Sequence, residues 1–328
     1  MGMLLKGELV NNWLDKEIEE GEFKRMESTL RHWVTVDGQA GPTGAAGFKA
    51  EPNRYHLYVS DACPWAHRTI IFRKLKKLES IISISFVQAE MLDKGWSFSE
   101  EGQYADTLFQ SNFVYELYQK ADKNFTGQIT VPILWDKKLN TVVNNESSEI
   151  IRMLNSAFNE FTDVKTDYYP EPLRDKIEEI NTPIYNNINN GVYRSGFATT
   201  QEAYSKAVTR LFNELDNVES ILNKQRYLLG DSLTEADWRL FTTLIRFDAV
   251  YVGHFKCNIR RIADYPNLSH FLRELYQVPG VAETVDMDYI KRHYYYSHTS
   301  INPTQIIPLG PQQDFMQSHN RNEKFGDK

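Results

Sequence analysis

Cys63 is the residue whose setting points to chemistry. It sits in the run Arg54-Tyr55-His56-Leu57-Tyr58-Val59-Ser60-Asp61-Ala62-Cys63-Pro64-Trp65-Ala66-His67-Arg68. Residues 55–59 alternate aromatic and apolar side chains and predict a short strand. Ser60-Asp61-Ala62 is the turn. Pro64 has a preset φ and no N–H, which suits the first position of a helix. Ile70, Ile71, Leu75 and Leu78 then recur at helical spacing. Cys63 therefore falls at a helix N-terminus, where unpaired N–H groups and the helix dipole favour a thiolate over a thiol. A free cysteine is as a rule a small buried hydrophobe, yet packing does not require one directly before proline at a strand-to-helix turn. Position +3 is Ala66, so no second thiol of a dithiol motif is present. A lone reactive thiolate there has to exchange with an external thiol. The other cysteine, Cys257, lies in Phe255-Lys256-Cys257-Asn258 without a helix start and reads as a passive thiol. His67 reads as a structural helix residue. His254, His293 and His298 show no metal-ligand spacing, so no metal is expected.

Several elements must hold that cysteine in place. Residues 82–87 predict a second strand, and with the Pro64 helix between them the two strands form a parallel βαβ unit. A long insert follows over residues 88–127, with Trp96 and a helix near 112–120; connections of this length are often functional. Residues 131–136 predict a third strand, opened by Pro132. A cis bond before Pro132 lets the Val131 backbone face outward as an unpaired edge. Residues 136–140 make a hairpin turn to a fourth strand, 141–143. Ser147 reads as the N-cap of a helix carrying Ile150, Ile151 and Leu154. Such a terminus can hold a carboxylate, although spacing alone says only that the helix is capped.

The rest of the chain divides by character. Residues 1–50 read as an irregular arm, and residues 38–47 within it, rich in Gly and Ala, as a flexible surface loop that could cover a site. That stretch lacks the terminal Lys-Ser/Thr and the preceding strand of a phosphate loop. From Tyr168-Tyr169-Pro170 to about residue 285 the signal is helical. Ala203, Ala207, Leu211, Leu215, Val218 and Leu222 form an apolar stripe. Thr234-Glu235-Ala236-Asp237 has capping-box spacing with Asp in place of Glu or Gln. Residues 297–328 are polar, carry Pro303, Pro308 and Pro311, and read as an extended tail. The expected organisation is an arm and loop (1–50), an α/β domain (51–160), an all-α domain (170–296) and a tail (297–328). The chain has 328 residues, 41% hydrophobic and 25% charged, with a net charge of −7. The acidic balance argues against a nucleic-acid partner. No apolar run approaches the ~20 residues of a membrane span. Two cysteines are no disulfide framework and fit a reducing compartment. Residues 1–10 are too quickly charged for a signal peptide, so a cytoplasmic protein is expected.

A βαβ unit, a Pro-led strand, a hairpin and a helix, followed by helices carrying Leu-Leu-Gly-Asp-Ser-Leu-Thr-Glu-Ala-Asp (228–237), resemble the glutathione transferase architecture. The fold class implied is α/β plus all-α: a thioredoxin-like N-terminal domain, then an all-helical C-terminal domain. The resemblance sharpens in the Cys63 run and in Asn190-Gly191-Val192-Tyr193-Arg194-Ser195-Gly196-Phe197-Ala198. It extends to His293-Tyr294-Tyr295, Ser297-His298 and Ile301-Asn302-Pro303-Thr304. Over nearly the whole chain it is similar to the glutathionyl-hydroquinone reductases, the xi class of these transferases. Cys-Pro alone also fits the omega class.

The resemblance implies that Cys63 is the nucleophile and that glutathione is a co-substrate. It implies that Trp96, Gln128, Ile129, Thr130 and Val131 contact glutathione, the Val131 main chain pairing with its cysteinyl part. Glu146 and Ser147 would hold the γ-glutamyl ammonium and carboxylate, consistent with an acceptor and donors. Tyr193 would exchange a proton with the substrate, while Tyr251 and Tyr294 would lower the cysteine pKa. In the run Tyr294-Tyr295-Tyr296 the register is open. A homodimer is implied as well. Two other readings use the same residues. An omega-like thiol transferase or dehydroascorbate reductase needs Cys63 but not the Tyr193 motif or the tail. A non-catalytic binding module with this fold needs neither, and it predicts an ordinary thiol.

Overall fold

The computed structural model describes residues 2–10 and 18–326. Met1 and residues 11–17 of the expected arm, and residues 327–328 of the expected tail, lie outside the described residues. The chain forms two compact units: one holds residues 2–10 and 26–166, the other residues 18–25 and 167–326.

In the first unit, β1 (Gly2–Leu5) pairs antiparallel with β2 (Glu8–Val10). A hairpin of β3 (Ile18–Glu19) and β4 (Glu22–Phe23) comes next in the chain and belongs to the second unit. The central sheet begins with β5 (Tyr55–Val59), in which every residue is buried, as in a strand covered on both faces. It leads into α1 (Pro64–Leu75) and returns as β6 (Ser83–Phe86), parallel to β5. After the long insert come α2 (Val114–Ala121), β7 (Gly127–Ile129), β8 (Ile133–Asp136), β9 (Thr141–Asn144) and α3 (Ser147–Ser156). The sheet order is β6-β5-β8-β9, with β8 antiparallel to both neighbours. This is the expected βαβ unit joined to a hairpin. The Val131–Pro132 bond is cis. The third strand starts at Ile133 rather than Val131, because Pro132 has no N–H to give to a ladder.

Two expectations for the arm change. It is not wholly irregular: β1 also pairs with β7, giving a small sheet β2-β1-β7. Strands of three or four residues are too short to display a period. Residues 38–47 are exposed but held in place. Arg54 donates to the Gly47 carbonyl (2.8 Å), Trp33 Nε1 to Thr43 Oγ1 (2.9 Å) and Ala45 N to His32 Nδ1 (2.9 Å). Gly44, at φ +77°, is required there: a Cβ would fall 2.5 Å from His32 Nδ1.

The second unit is helical apart from the hairpin. α4 (Arg174–Pro183) runs through a π-helical turn (Ile184–Asn189) into α5 (Gly191–Gly196) and α6 (Gln201–Lys224). On α6 the apolar stripe is buried at Ala203, Leu211, Leu215, Val218 and Leu222, joined by Val208 and Phe212. α7 (Glu235–Arg246) starts at the expected capping box, with Asp237 accepting from Thr234 N (2.8 Å) and Thr234 Oγ1 (3.0 Å). A second π-helical turn (Phe247–Tyr251), α8 (Leu268–Tyr276), α9 (Met287–Ser297) and a short α10 (Arg321–Phe325) complete the unit. The tail is largely irregular, yet Arg321 is fully buried. Among the described residues no helix is long and apolar enough to cross a membrane.

Candidate active site

Cys63 is the residue just before α1, with extended backbone (φ −76°, ψ 116°) and Pro64 in the first turn. Its N–H donates to the Ser60 carbonyl (3.2 Å) and its carbonyl accepts from His67 N (2.9 Å), so the strand-to-helix turn fixes it at both ends. The side chain is partly exposed, and the thiol donates to the Val131 carbonyl at 3.4 Å. The segment before the cis-proline therefore lies against the cysteine. A thiol can donate there whereas a thiolate cannot; an anion at Cys63 has the N-terminus of α1 to favour it instead. His67 is fully buried in α1.

Residues 128–131 are fixed by their neighbours. Gln128 and Ile129 of β7 pair with Met3 and Gly2 of β1. Tyr118 donates its hydroxyl to the Thr130 carbonyl (3.0 Å) and accepts from Asn145 Nδ2 (3.2 Å). Ile129 is 1% exposed, which leaves its main chain as what it can offer a ligand. Trp96 is buried in the insert, its carbonyl accepting from Val114 N (3.0 Å).

At α3 the cap is Glu146, not Ser147 as the sequence suggested. The Glu146 carboxylate accepts from Ser148 N (3.0 Å) and Ser148 Oγ (2.8 Å). Ser147 becomes the first helical residue, and its Oγ accepts from the buried Arg68 of α1 at 3.3 Å. The Cys63 helix thus reaches the start of α3 through its own arginine. Ser28 Oγ also donates to Glu146 (3.3 Å). Nearby, Arg31 forms an ion pair with Glu149, which also accepts from Asn144 Nδ2 (2.7 Å).

In the second unit the three named tyrosines meet. Tyr294 Oη lies 2.7 Å from Tyr193 Oη and 3.1 Å from Tyr251 Oη. Tyr295 instead donates to the Ala249 carbonyl (3.3 Å), so within the run it is the Tyr294 hydroxyl that meets the other two tyrosines. Tyr193 comes from α5, Tyr251 from the π-helical turn and Tyr294 from α9. Burial pushes the Tyr251 and Tyr294 phenols well above their ordinary value. Both stay neutral and able to donate. Phe197 and Phe255 pack on the same cluster. His254 Nε2 lies 3.1 Å from His298 Nδ1, and burial holds the His254 imidazolium down to about 4 and that of His298 well below the usual range. Cys257 is fully buried, and burial pushes its thiol well up. Among the described residues no group of three or more His, Cys, Asp or Glu side chains converges as a metal site.

The description of the glutathione S-transferase N-terminal domain matches residues 62–157, and that of the C-terminal domain residues 201–274. The glutathionyl-hydroquinone reductase YqjG of Escherichia coli (strain K12) is 55% identical over 328 residues, covering 99% of this chain and 100% of that one. The chain belongs to the glutathionyl-hydroquinone reductases, the xi class of glutathione transferases. The glutathione-bound structure of YqjG matches with a TM-score of 0.90 at 52% identity, over 99% of this chain and 100% of that one. A xi-class transferase from Natrialba magadii matches with a TM-score of 0.92 at 47% identity, over 98% of each chain. In this xi-class chain, sequence reasoning missed Arg68, Ser28 and Tyr118 as supports of the named residues. Arg68 closes the Cys63 motif and Ser28 stands in the arm, but nothing in their spacing indicates a partner some 80 or 118 residues away.

Proposed function

We propose that this chain reduces glutathionyl-hydroquinones to hydroquinones with glutathione as co-substrate. Cys63 as thiolate attacks the sulfur of the glutathionyl substituent. A sulfur–sulfur bond forms, the ring carbon–sulfur bond breaks, and its electron pair stays on the ring carbon, which takes up a proton. Tyr193 supplies that proton and polarises the hydroquinone hydroxyls, while Tyr251 and Tyr294 help keep Cys63 ionised. A second glutathione thiolate then attacks the Cys63–glutathione disulfide, releasing oxidised glutathione and regenerating Cys63. Glutathione is held by Trp96, by residues Gln128, Ile129, Thr130 and Val131, and by Glu146 and Ser147. The enzyme acts as a homodimer in the cytoplasm.

The observation that carries this reading is Cys63 at the start of α1 beside the Val131 carbonyl, with Ala66 where a resolving thiol would stand. A single thiol needs a second glutathione to complete a cycle, which matches the family's reaction. The test is glutathione-dependent release of hydroquinone from glutathionyl-benzohydroquinone by wild type, Cys63→Ser and Tyr193→Phe. Turnover by wild type with matching oxidised glutathione, none by Cys63→Ser and slow turnover by Tyr193→Phe is the expected result. Full activity in Cys63→Ser sinks the mechanism. A wild type inert here but active on a glutathione mixed disulfide or dehydroascorbate makes the chain an omega-like thiol transferase.

A further inference from the structure

Three phenols joined in a row raise the question of which one gives up a proton. Tyr251 and Tyr294 lie deep in the second unit, 0% and 1% exposed, and Tyr193 stands at 8%. The difference between them is what covers each ring. Arg25 lies just after β4, and its guanidinium carbon is 4.8 Å from the centroid of the Tyr193 ring and 5.4 Å from that of Phe23. Its Nε donates to Asn190 Oδ1 at 2.9 Å. Asn190 is buried, and its carbonyl accepts from Arg194 N at 2.8 Å, so it is built into the helical turn that carries Tyr193. The arginine is thus tied through the Asn190 side chain to the turn that presents the tyrosine and lies over its ring.

We infer that Arg25 is a positioning residue for the reaction, holding the Tyr193 ring in place and making its phenol the strongest acid of the three. A cation over an aromatic face is attracted by the ring's electron density. A phenolate ring carries more of that density than a phenol, so the cation favours proton loss. The neighbours act in the same sense. Once Tyr193 is ionised, Tyr294 at 2.7 Å can donate to it, and Tyr251 at 3.1 Å can donate to Tyr294. The titratable and charged groups seen to face Tyr193 among the described residues include Arg25 from the segment after β4, Tyr294 from α9, and Tyr251 from the π-helical turn. Arg246 acts behind Tyr251 and Tyr294, and Arg194 follows on the helix of Tyr193 itself. The inference rests on the reading of Tyr193 as proton donor.

The test uses the full chain with 13C-labelled tyrosine, the Tyr193 signal being assigned by its loss in Tyr193→Phe. Wild type, Arg25→Lys and Arg25→Gln are titrated, and their turnover of glutathionyl-benzohydroquinone is measured. In Arg25→Gln the Tyr193 midpoint should move up by about one pH unit. Its kcat should fall by a factor of about three to ten, with KM for glutathione unchanged. Arg25→Lys keeps the charge and should restore both midpoint and kcat towards wild type. A Tyr193 midpoint identical in wild type and Arg25→Gln overturns the inference, as does an Arg25→Lys displaced as far as Arg25→Gln. Full turnover by Tyr193→Phe overturns the proton-donor reading and with it any catalytic use of Arg25. A slow Tyr193→Phe with an unmoved titration removes Arg25 alone.

Discussion

Glu146 has two jobs that a pair of substitutions separates. Its carboxylate caps α3 by accepting from Ser148 N and Ser148 Oγ, and in the proposed site its charge faces the ammonium of glutathione. Glu146→Gln keeps a side-chain acceptor for the cap but has no charge. It should unfold within about 0.5 kcal/mol of wild type while raising KM for glutathione about tenfold, the effect of losing ~1.4 kcal/mol of binding. Glu146→Ala loses the cap as well and should cost about 1 kcal/mol of stability. Denaturant unfolding and steady-state kinetics check both; an unchanged KM in Glu146→Gln removes the residue from the glutathione site. The same residue marks a limit of reading from sequence. In Asn145-Glu146-Ser147-Ser148 all four side chains carry an acceptor, and propensity favours asparagine or serine over glutamate. Glu146 takes the cap, while the Ser147 hydroxyl accepts from Arg68, which is distant in sequence. Cys63 and Pro64 were legible because their geometry is local. That Tyr294 rather than its neighbours meets Tyr193 and Tyr251 was not legible, because both hydroxyls come from residues 101 and 43 positions away.

At the scale of elements, the strands and helices with a clear period or cap were readable: β5, α1, the stripe of α6 and the box at α7. The small sheet of β1, β2 and β7 was not, since its partners are short and far apart in sequence. The two π-helical turns also left no signal, although one carries Tyr251 and the other leads to Tyr193. The box at α7 allows a pH prediction. Asp237 is fully buried and accepts from Leu228 N (2.8 Å) as well as from Thr234. Burial outweighs those donors and lifts its carboxyl from 3.8 to about 6. A folded value above the unfolded one means the group's stabilisation is complete below about pH 4 and is lost as pH rises through 6. Between pH 4.5 and 5.5, wild type should lose about 1 kcal/mol of unfolding free energy relative to Asp237→Asn, which has no proton to release there. Parallel pH profiles for the two proteins would count against this.

Over the whole molecule, the helical unit is joined by the tail, and Arg321 is the tail's fully buried contact with it. Arg321 opens α10 in a polar stretch with no apolar period, which is why the sequence yields only an extended tail. In the fold it is fully buried at the C-terminal end of α6. It donates to the Leu222 carbonyl (2.9 Å), the Gln225 carbonyl (2.8 Å) and the Arg226 carbonyl. Those carbonyls would otherwise be orphaned where the helix stops, and the cation sits at the negative end of its dipole. Glu274 lies 3.7 Å from Arg321 Nε and accepts from Arg226 Nε at 2.7 Å, so the buried charges are shared rather than isolated. Arg321→Ala leaves the carbonyls without their donors and should destabilise the end of α6 by about 3 kcal/mol. Lysine offers one ammonium in place of a planar fork and should recover only part of that. Because two compact units need not unfold together, the measurement belongs at the site. Hydrogen exchange of amides near residues 222–226 should quicken by about 100-fold in Arg321→Ala, with Arg321→Lys between it and wild type. If exchange there is unchanged in Arg321→Ala, the tail rests on the unit without holding it closed.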